Sequence, residues 1–460
     1  MSAGLAAATA VSCCVCLPAF GLTPLREFQS LRQDFFDASL KHAPEWGTGL
    51  GVKGYDDKLS DPSMDESREY IAVLESLEER LQGLEPYLSQ IDPQDRIDFG
   101  VIRSSLHGQL HSMRDREDYL TDVRAILIPY NTIATQILQS GGGNPSINEW
   151  EKIVGRVSRI PVYLQRAKET LREGLKRGEA PDRRLTEQQG IKSAAEVVAY
   201  FNGEFIDEAR KSLTSTGILE SDARIARLEA RARAASAAYR DISAFVESEV
   251  LPRTKTSYAL GENEYAWQLH HVLGIKESPR RLQASGQEAA DRIEKRMRDL
   301  ARQIDSKKDL AEVMSDLQSD HPANDKELLE AFNRATVRAK TFVDQGGLFS
   351  LPPSYQVKIV PTPAPLRSSV NTAAYYGAPP LDTSKEGAFM VTPSEGDIQQ
   401  LKNFNDYSLV STAVHEAFPG HGLQYYVFGE NRATISPVRY LSSGFSSALN
   451  VEGWACMPRS

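Results

Sequence analysis

Cysteine is scarce in this sequence, and so is any excess of positive charge. Four cysteines occur in 460 residues; Cys13, Cys14 and Cys16 cluster near the start, leaving Cys456 alone in the rest of the chain. The body of the protein is therefore not expected to be held by a disulfide framework. The formal net charge is −9, with no basic stripe to offset phosphate repulsion, which argues against a general nucleic-acid binder. The one marked apolar run, residues 4–20 (GLAAATAVSCCVCLPAF), is short for a membrane span of ~20 residues. It is expected to be a signal or targeting leader over residues 1–22, which would send the protein out of the cell or into an organelle. Without such a leader the protein would stay in the cytoplasm, and no stable membrane span is expected.

What is present is the composition of a large helical body. Apolar residues make up 41% and charged residues 25%, enough to bury a sizeable core. The length exceeds a typical domain of ~150 residues, and the proline-bearing stretch 252–261 is the expected boundary between lobes at 23–255 and 256–460. Tyr70, Val73, Leu74, Leu77, Leu81 and Leu84 form a helical stripe. Asp92-Pro93 is expected to open the next helix with the aspartate as cap. The glycine-rich GTGLGVKGYDD lacks the Lys-Ser/Thr ending of a phosphate cradle and reads as a turn. The Ala/Arg/Glu-rich stretch 223–249 reads as a long solvated helix.

Residues 352–393 differ in kind. They hold eight prolines and little helical period, so extended segments or a small sheet are expected. An edge strand there could pair with an extended peptide. Tyr375 and Tyr376 are candidates to donate a hydrogen bond to a developing oxyanion, with aromatic packing as the competing reading.

The chemistry concentrates in residues 411–424, STAVHEAFPGHGLQ. A hydrolytic metal site needs imidazole ligands, an open position for water and a carboxylate to take the water's proton. His415 and Glu416 supply a ligand and a base. In the common H-E-x-x-H arrangement the second histidine follows four residues after the first, but here that position is Pro419 and the next histidine is His421. On a straight helix, six residues leave the two imidazoles roughly 120° apart. Pro419 and Gly420 allow a break that could swing His421 back. Glu452 in NVEGWA is the best downstream candidate for a third ligand. The pairs His107/His111 and His270/His271 lack a neighbouring carboxylate in register and read as helix faces or core, and His42 and His321 as loop residues without a partner.

HEAFPGHGLQ followed by EGWA resembles the domain-of-unknown-function 885 family, whose usual pattern is HEAxPGHHLQ and then EGWAxYAE. Less specific matches are PEWGTGLGVKGYDDKLSD, LREGLKRGEAP, GENEYAWQLHHVLGIKESPRRL and NTAAYYGAPPLDTSKEGAFMVTP. The resemblance implies a mainly α, large helical zincin-like metallopeptidase fold with a small extended or β segment near the active site. It implies zinc held by His415, His421 and Glu452, Glu416 as general base, and a peptide substrate. Two departures stand out: Gly422 replaces the family's second histidine, and the chain ends eight residues after Glu452, so it is expected to be C-terminally truncated. The alternatives are a catalytically inactive helical binding protein and a metallohydrolase acting on another amide or ester.

Overall fold

The computed structural model describes residues 23–457 except 141–143, 348, 350–354, 364–365, 368–369, 383–386 and 442–447. The expected leader, with its three cysteines, lies outside these residues. The described chain is mainly helical, with one three-stranded sheet. No described helix is long and apolar enough to cross a membrane.

The helix Met64–Leu84 shows how the sequence builds this body. Ser63 caps it by accepting from the Glu66 amide, and Asp65 and Glu66 complement the positive end of its dipole. Tyr70, Leu74, Leu77, Leu81 and Leu84 face the core at three- and four-residue spacing, whereas Val73 falls outside the stripe and is exposed. Asp92 caps Pro93–Leu110 by accepting from the Gln94 amide, as its spacing suggested. These helices join Pro24–His42 in one apolar cluster containing Phe28, Leu31 and Phe99. Val438, Tyr440 and Leu441, from far along the chain, complete that cluster.

A second cluster is built around Ala223–Phe245, and here the expectation of a solvated helix is corrected. Ile225, Leu228, Ala232, Ala235, Tyr239, Ile242 and Phe245 are buried, packed on Ala194–Asn202 and Ile160–Lys176. Alanine at two of these positions lets neighbouring backbones approach, so the small residues are a packing face despite the charges around them.

The glycine-rich segment also carries more structure than a turn. Residues Pro44–Leu50 form a short helix ended by Gly51 at φ 80°, a left-handed conformation that glycine adopts without a Cβ penalty. The buried Arg156 guanidinium ties this segment down, donating to Thr48 Oγ1, to Gln136 Oε1 and to the carbonyls of Tyr55 and Lys58.

The sheet consists of β1 (Lys358–Pro361), β2 (Ala373–Tyr376) and β3 (Ala388–Val391) in the order β1-β3-β2. β3 is parallel to β1 and antiparallel to β2. It is buried at all four positions, as its uninterrupted apolar run requires of a central strand. Phe389 and Val391 face the helices Asp325–Gly346 and Asp406–Glu416, while Met390 faces Ala134 and Leu138. β2 is thus an outer strand beside Asp406–Glu416, the helix that ends in the HE pair.

Candidate metal centre

Helix Asp406–Glu416 starts at Asn405, whose side chain accepts from the amides of Tyr407 and Ser408. Leu409 and Ala413, four residues apart, bury one face against the sheet and the Asp325–Gly346 helix. That fixes the direction in which the last turn presents His415. The helix then closes on itself: the amides of Ala417 and Phe418 donate to the Ala413 carbonyl and that of Gly420 to the Val414 carbonyl. Pro419, after a cis peptide bond, has no N–H to offer. His421 opens the next helix, His421–Glu430, so the break anticipated at Pro419-Gly420 is present.

The break brings the two imidazoles together, their ring centroids 4.8 Å apart and their planes at 83°. Glu452 arrives from a third helix, Ala448–Cys456, with Oε2 3.3 Å from His415 Nε2 and Oε1 3.8 Å from His421 Nε2. One nitrogen from each histidine and one carboxylate oxygen lie within 4.8 Å of one another. An ion ~2 Å from each of three donors holds them no more than ~4 Å apart, so these donors, spread up to 4.8 Å, have the chemistry for a zinc-sized cation and would draw in slightly around it. Both histidines are nearly buried, whereas the Glu452 side chain is 59% exposed, which leaves the cluster facing solvent on one side. His421 Nδ1 makes a long 3.5 Å contact with Gln424 Oε1 and turns Nε2 toward Glu452, the orientation a metal-binding imidazole needs.

Glu416, the expected base, is not one of the three donors. Its Oε2 accepts from the Tyr375 amide at 2.9 Å, so the outer strand β2 holds the carboxylate. This places Tyr375 beside the centre through its backbone. Its ring lies toward Tyr425, with centroids 6.0 Å apart, and burial pushes its phenol pKa up. Tyr376, on the opposite face of the strand, packs against the cluster of Ala134, Leu138, Leu366 and Met390. Of the six residues picked out by sequence, His415, His421 and Glu452 meet, Glu416 follows His415 at the end of its helix, and the rings of Tyr375 and Tyr376 pack against Tyr425 and the Met390 cluster.

The departure at Gly422 has a local explanation. A Cβ at Gly422 would stand 2.0 Å from the Ala417 carbonyl oxygen and 3.0 Å from the Tyr355 hydroxyl, so this backbone has no room for a side chain there. Tyr425, one turn beyond His421 on the same face, covers Gly377; burial and then the nearby Glu452 carboxylate push its phenol up. Beyond it opens a cavity of about 630 Å³ lined by Tyr355, Lys358, Tyr375, Asp382, Tyr426 and Arg432. Sequence reasoning missed Trp454, whose indole N–H donates to the carbonyls of both Pro419 and Gly420. Its only signal was an aromatic residue two positions after the candidate ligand.

The remaining histidines form no further centre. His107 lies 3.8 Å from Glu78, and His111 Nε2 is 2.9 Å from Glu264 under a stacked Trp267. His270 and His271 are exposed. His42 is corrected from a partnerless loop residue: it ends the first helix and stacks on Tyr70 at 3.7 Å. Among the described residues, His415, His421 and Glu452 are the one group with metal-ligand geometry.

A mainly helical scaffold carrying a His-His-Glu cluster beside an outer β-strand is what these residues define. The profile of a family described as bacterial protein of unknown function (DUF885) matches residues 44–457, and the chain belongs to that family. No curated protein matches it. Two solved structures share the fold. One is a "putative lipoprotein of unknown function" from Shewanella oneidensis, at 20% identity and TM-score 0.66. The other is a "putative lipoprotein" from Colwellia psychrerythraea, at 16% identity and TM-score 0.75. Each alignment covers 94% of this chain and 77% of the other.

Proposed function

We propose that this protein is a zinc-dependent peptidase whose metal is held by His415, His421 and Glu452 and whose general base is Glu416. The observation that carries the reading is the convergence of three donor atoms within 4.8 Å, from three different helices, with a fourth side chain, the Glu416 carboxylate, next to His415 in sequence and held by β2. Two nitrogens and one carboxylate oxygen with a solvent-facing side are the donor chemistry of a hydrolytic zinc site. When bound, zinc would polarise a carbonyl and lower the pKa of water.

The chain's own groups supply the rest. Glu416 takes the proton of the attacking water and returns it to the leaving amine, and the Tyr375 amide sets the plane of its carboxylate. Apart from the Tyr375 amide taken up by Glu416, the outer edge of β2 offers backbone groups along which an extended peptide can align, which favours a peptide over other amides or esters. The leader-like residues 4–20 and the lipoprotein descriptions of the two structural relatives support export.

The test is elemental analysis of extensively dialysed protein, followed by mass-spectrometric detection of cleavage in a mixed peptide library. About one zinc per chain with new peptide termini is expected. Protein that retains no metal sinks the reading; metal without peptide cleavage, but with hydrolysis of another amide or ester, redirects it to a different hydrolase.

A further inference from the structure

We propose that Trp454 is a positioning residue for the metal centre, its indole N–H fixing the peptide groups that lead into His421 and thereby coupling that ligand to Glu452. The inference rests on the zinc reading and adds to it a determinant of affinity outside the ligand set. Trp454 Nε1 lies 3.1 Å from the Pro419 carbonyl oxygen and 3.0 Å from that of Gly420. Those oxygens belong to the two consecutive peptide groups immediately before His421, so one donor restrains the orientation of both.

The restraint acts where the backbone has few other means of control. The chain here must reverse between two helices within four residues. The Gly420 carbonyl also accepts the first bond of the second helix, from the Gln424 amide at 3.1 Å, so the indole adds to that bond and extends the hold to Pro419. The Gly420 amide is already committed to the Val414 carbonyl, and Pro419 has no amide hydrogen. An indole suits the task because it is a rigid plate with a single donor and no acceptor. Its ring is seated beside Phe349, with centroids 6.2 Å apart, and the neighbouring Ala455 is fully buried.

Trp454 is also two residues from Glu452 on one short helix. Any slip of that helix therefore moves the third ligand and the clamp together, and the distance between His421 and Glu452 is preserved. A second tie, from Gln424 Nε2 to the Asn450 carbonyl at 3.4 Å, joins the same two helices more weakly.

The experiment compares zinc affinity of wild type, Trp454→Phe and Phe349→Leu by competition with a chromophoric chelator, alongside the visible spectrum of the cobalt(II) form and the melting curve of the metal-free protein. Partners outside the ligand set typically affect metal affinity 10–100-fold, so Trp454→Phe should weaken zinc by that order and alter the cobalt spectrum. Phe349→Leu, which disturbs the packing but keeps the N–H, should stay within about threefold of wild type on the same scale. Should Trp454→Phe fail to fold, benzothienylalanine at position 454 keeps the ring shape and removes only the donor. A folded donor-less variant that binds zinc like wild type, or one matched in its loss by Phe349→Leu, overturns the proposal. Wild type that binds no metal instead defeats the zinc reading itself, and the proposal with it.

Discussion

Gly420 sits against the backbone of His415 so closely that a Cβ at position 420 would stand 1.7 Å from the His415 carbonyl oxygen. The return of the chain that brings His421 to His415 depends on that contact. Gly420→Ala must shift one of the two histidine backbones, and forced overpacking of this kind costs ~1–3 kcal/mol or more. The expected result is a lower melting temperature together with loss of stoichiometric zinc, read by calorimetry and elemental analysis. A variant with wild-type zinc content would show that the turn is not what aligns the imidazoles.

Separating base from ligand is a matter of two measurements on the same variants. Glu416→Gln should keep the metal and lower hydrolysis by ~10²–10⁴, the usual contribution of a general base. His415→Ala and Glu452→Ala should lose the metal outright. The metal-free Glu452→Ala protein should melt within about 0.5 kcal/mol of the metal-free wild type, because the side chain is largely exposed. If Glu416→Gln lost zinc while Glu452→Ala kept it, the two assignments would be reversed.

A pH dependence of stability should arise outside the candidate centre, at His42. Burial pushes its imidazole from 6.5 down to about 4. Burial also raises the carboxyl pKa of Glu66, 3.5 Å away, so the pair does not favour ionisation. The folded state thus resists a proton that the unfolded chain accepts. The stability due to His42 is fully present above about pH 6.5 and is lost as the pH falls toward 4, with an upper bound of about 3 kcal/mol. His42→Phe retains the stack on Tyr70 and should flatten urea midpoints between pH 4 and 6.5; an unchanged slope would assign the acid sensitivity elsewhere.

Arg156 offers a test of the glycine-rich segment. It is fully buried and donates to four groups, three of them within residues 48–58 and the fourth Gln136 Oε1. Arg156→Met keeps the volume but leaves buried carbonyls without their donor, at ~1–3 kcal/mol for each unsatisfied group. A drop of several kcal/mol in urea stability is expected, with fluorescence and circular dichroism losing signal together. A near-neutral result would mean that water replaces the guanidinium.

The local parts of this architecture were legible because they depend on neighbours in sequence. The Asp92 cap, the Leu74–Leu77–Leu81 stripe and the Pro419-Gly420 break each follow from spacing and residue type. Even the meeting of His415, His421 and Glu452 was foreshadowed, since the motif residues restrict what each helix can present. What could not be read depends on backbone groups and remote partners. Tyr375 serves the site through its amide, which every residue but proline carries, so no side-chain pattern marks it. The alanines of Ala223–Phe245 look solvated beside arginines until the helices that cover them are known.

The turn Pro437–Tyr440 lies between His421 and Glu452 in sequence, yet it is anchored in the first helices of the chain. Arg439 Nε donates to Asp98 at 2.5 Å and Nη2 to the Gln94 carbonyl at 2.8 Å, across 341 and 345 residues. On the proposed reading, zinc content then also reports on the opposite end of the polypeptide: a lesion at Asp98 that leaves every proposed ligand intact is expected to lower it, the remote symptom of a fault in the N-terminal core.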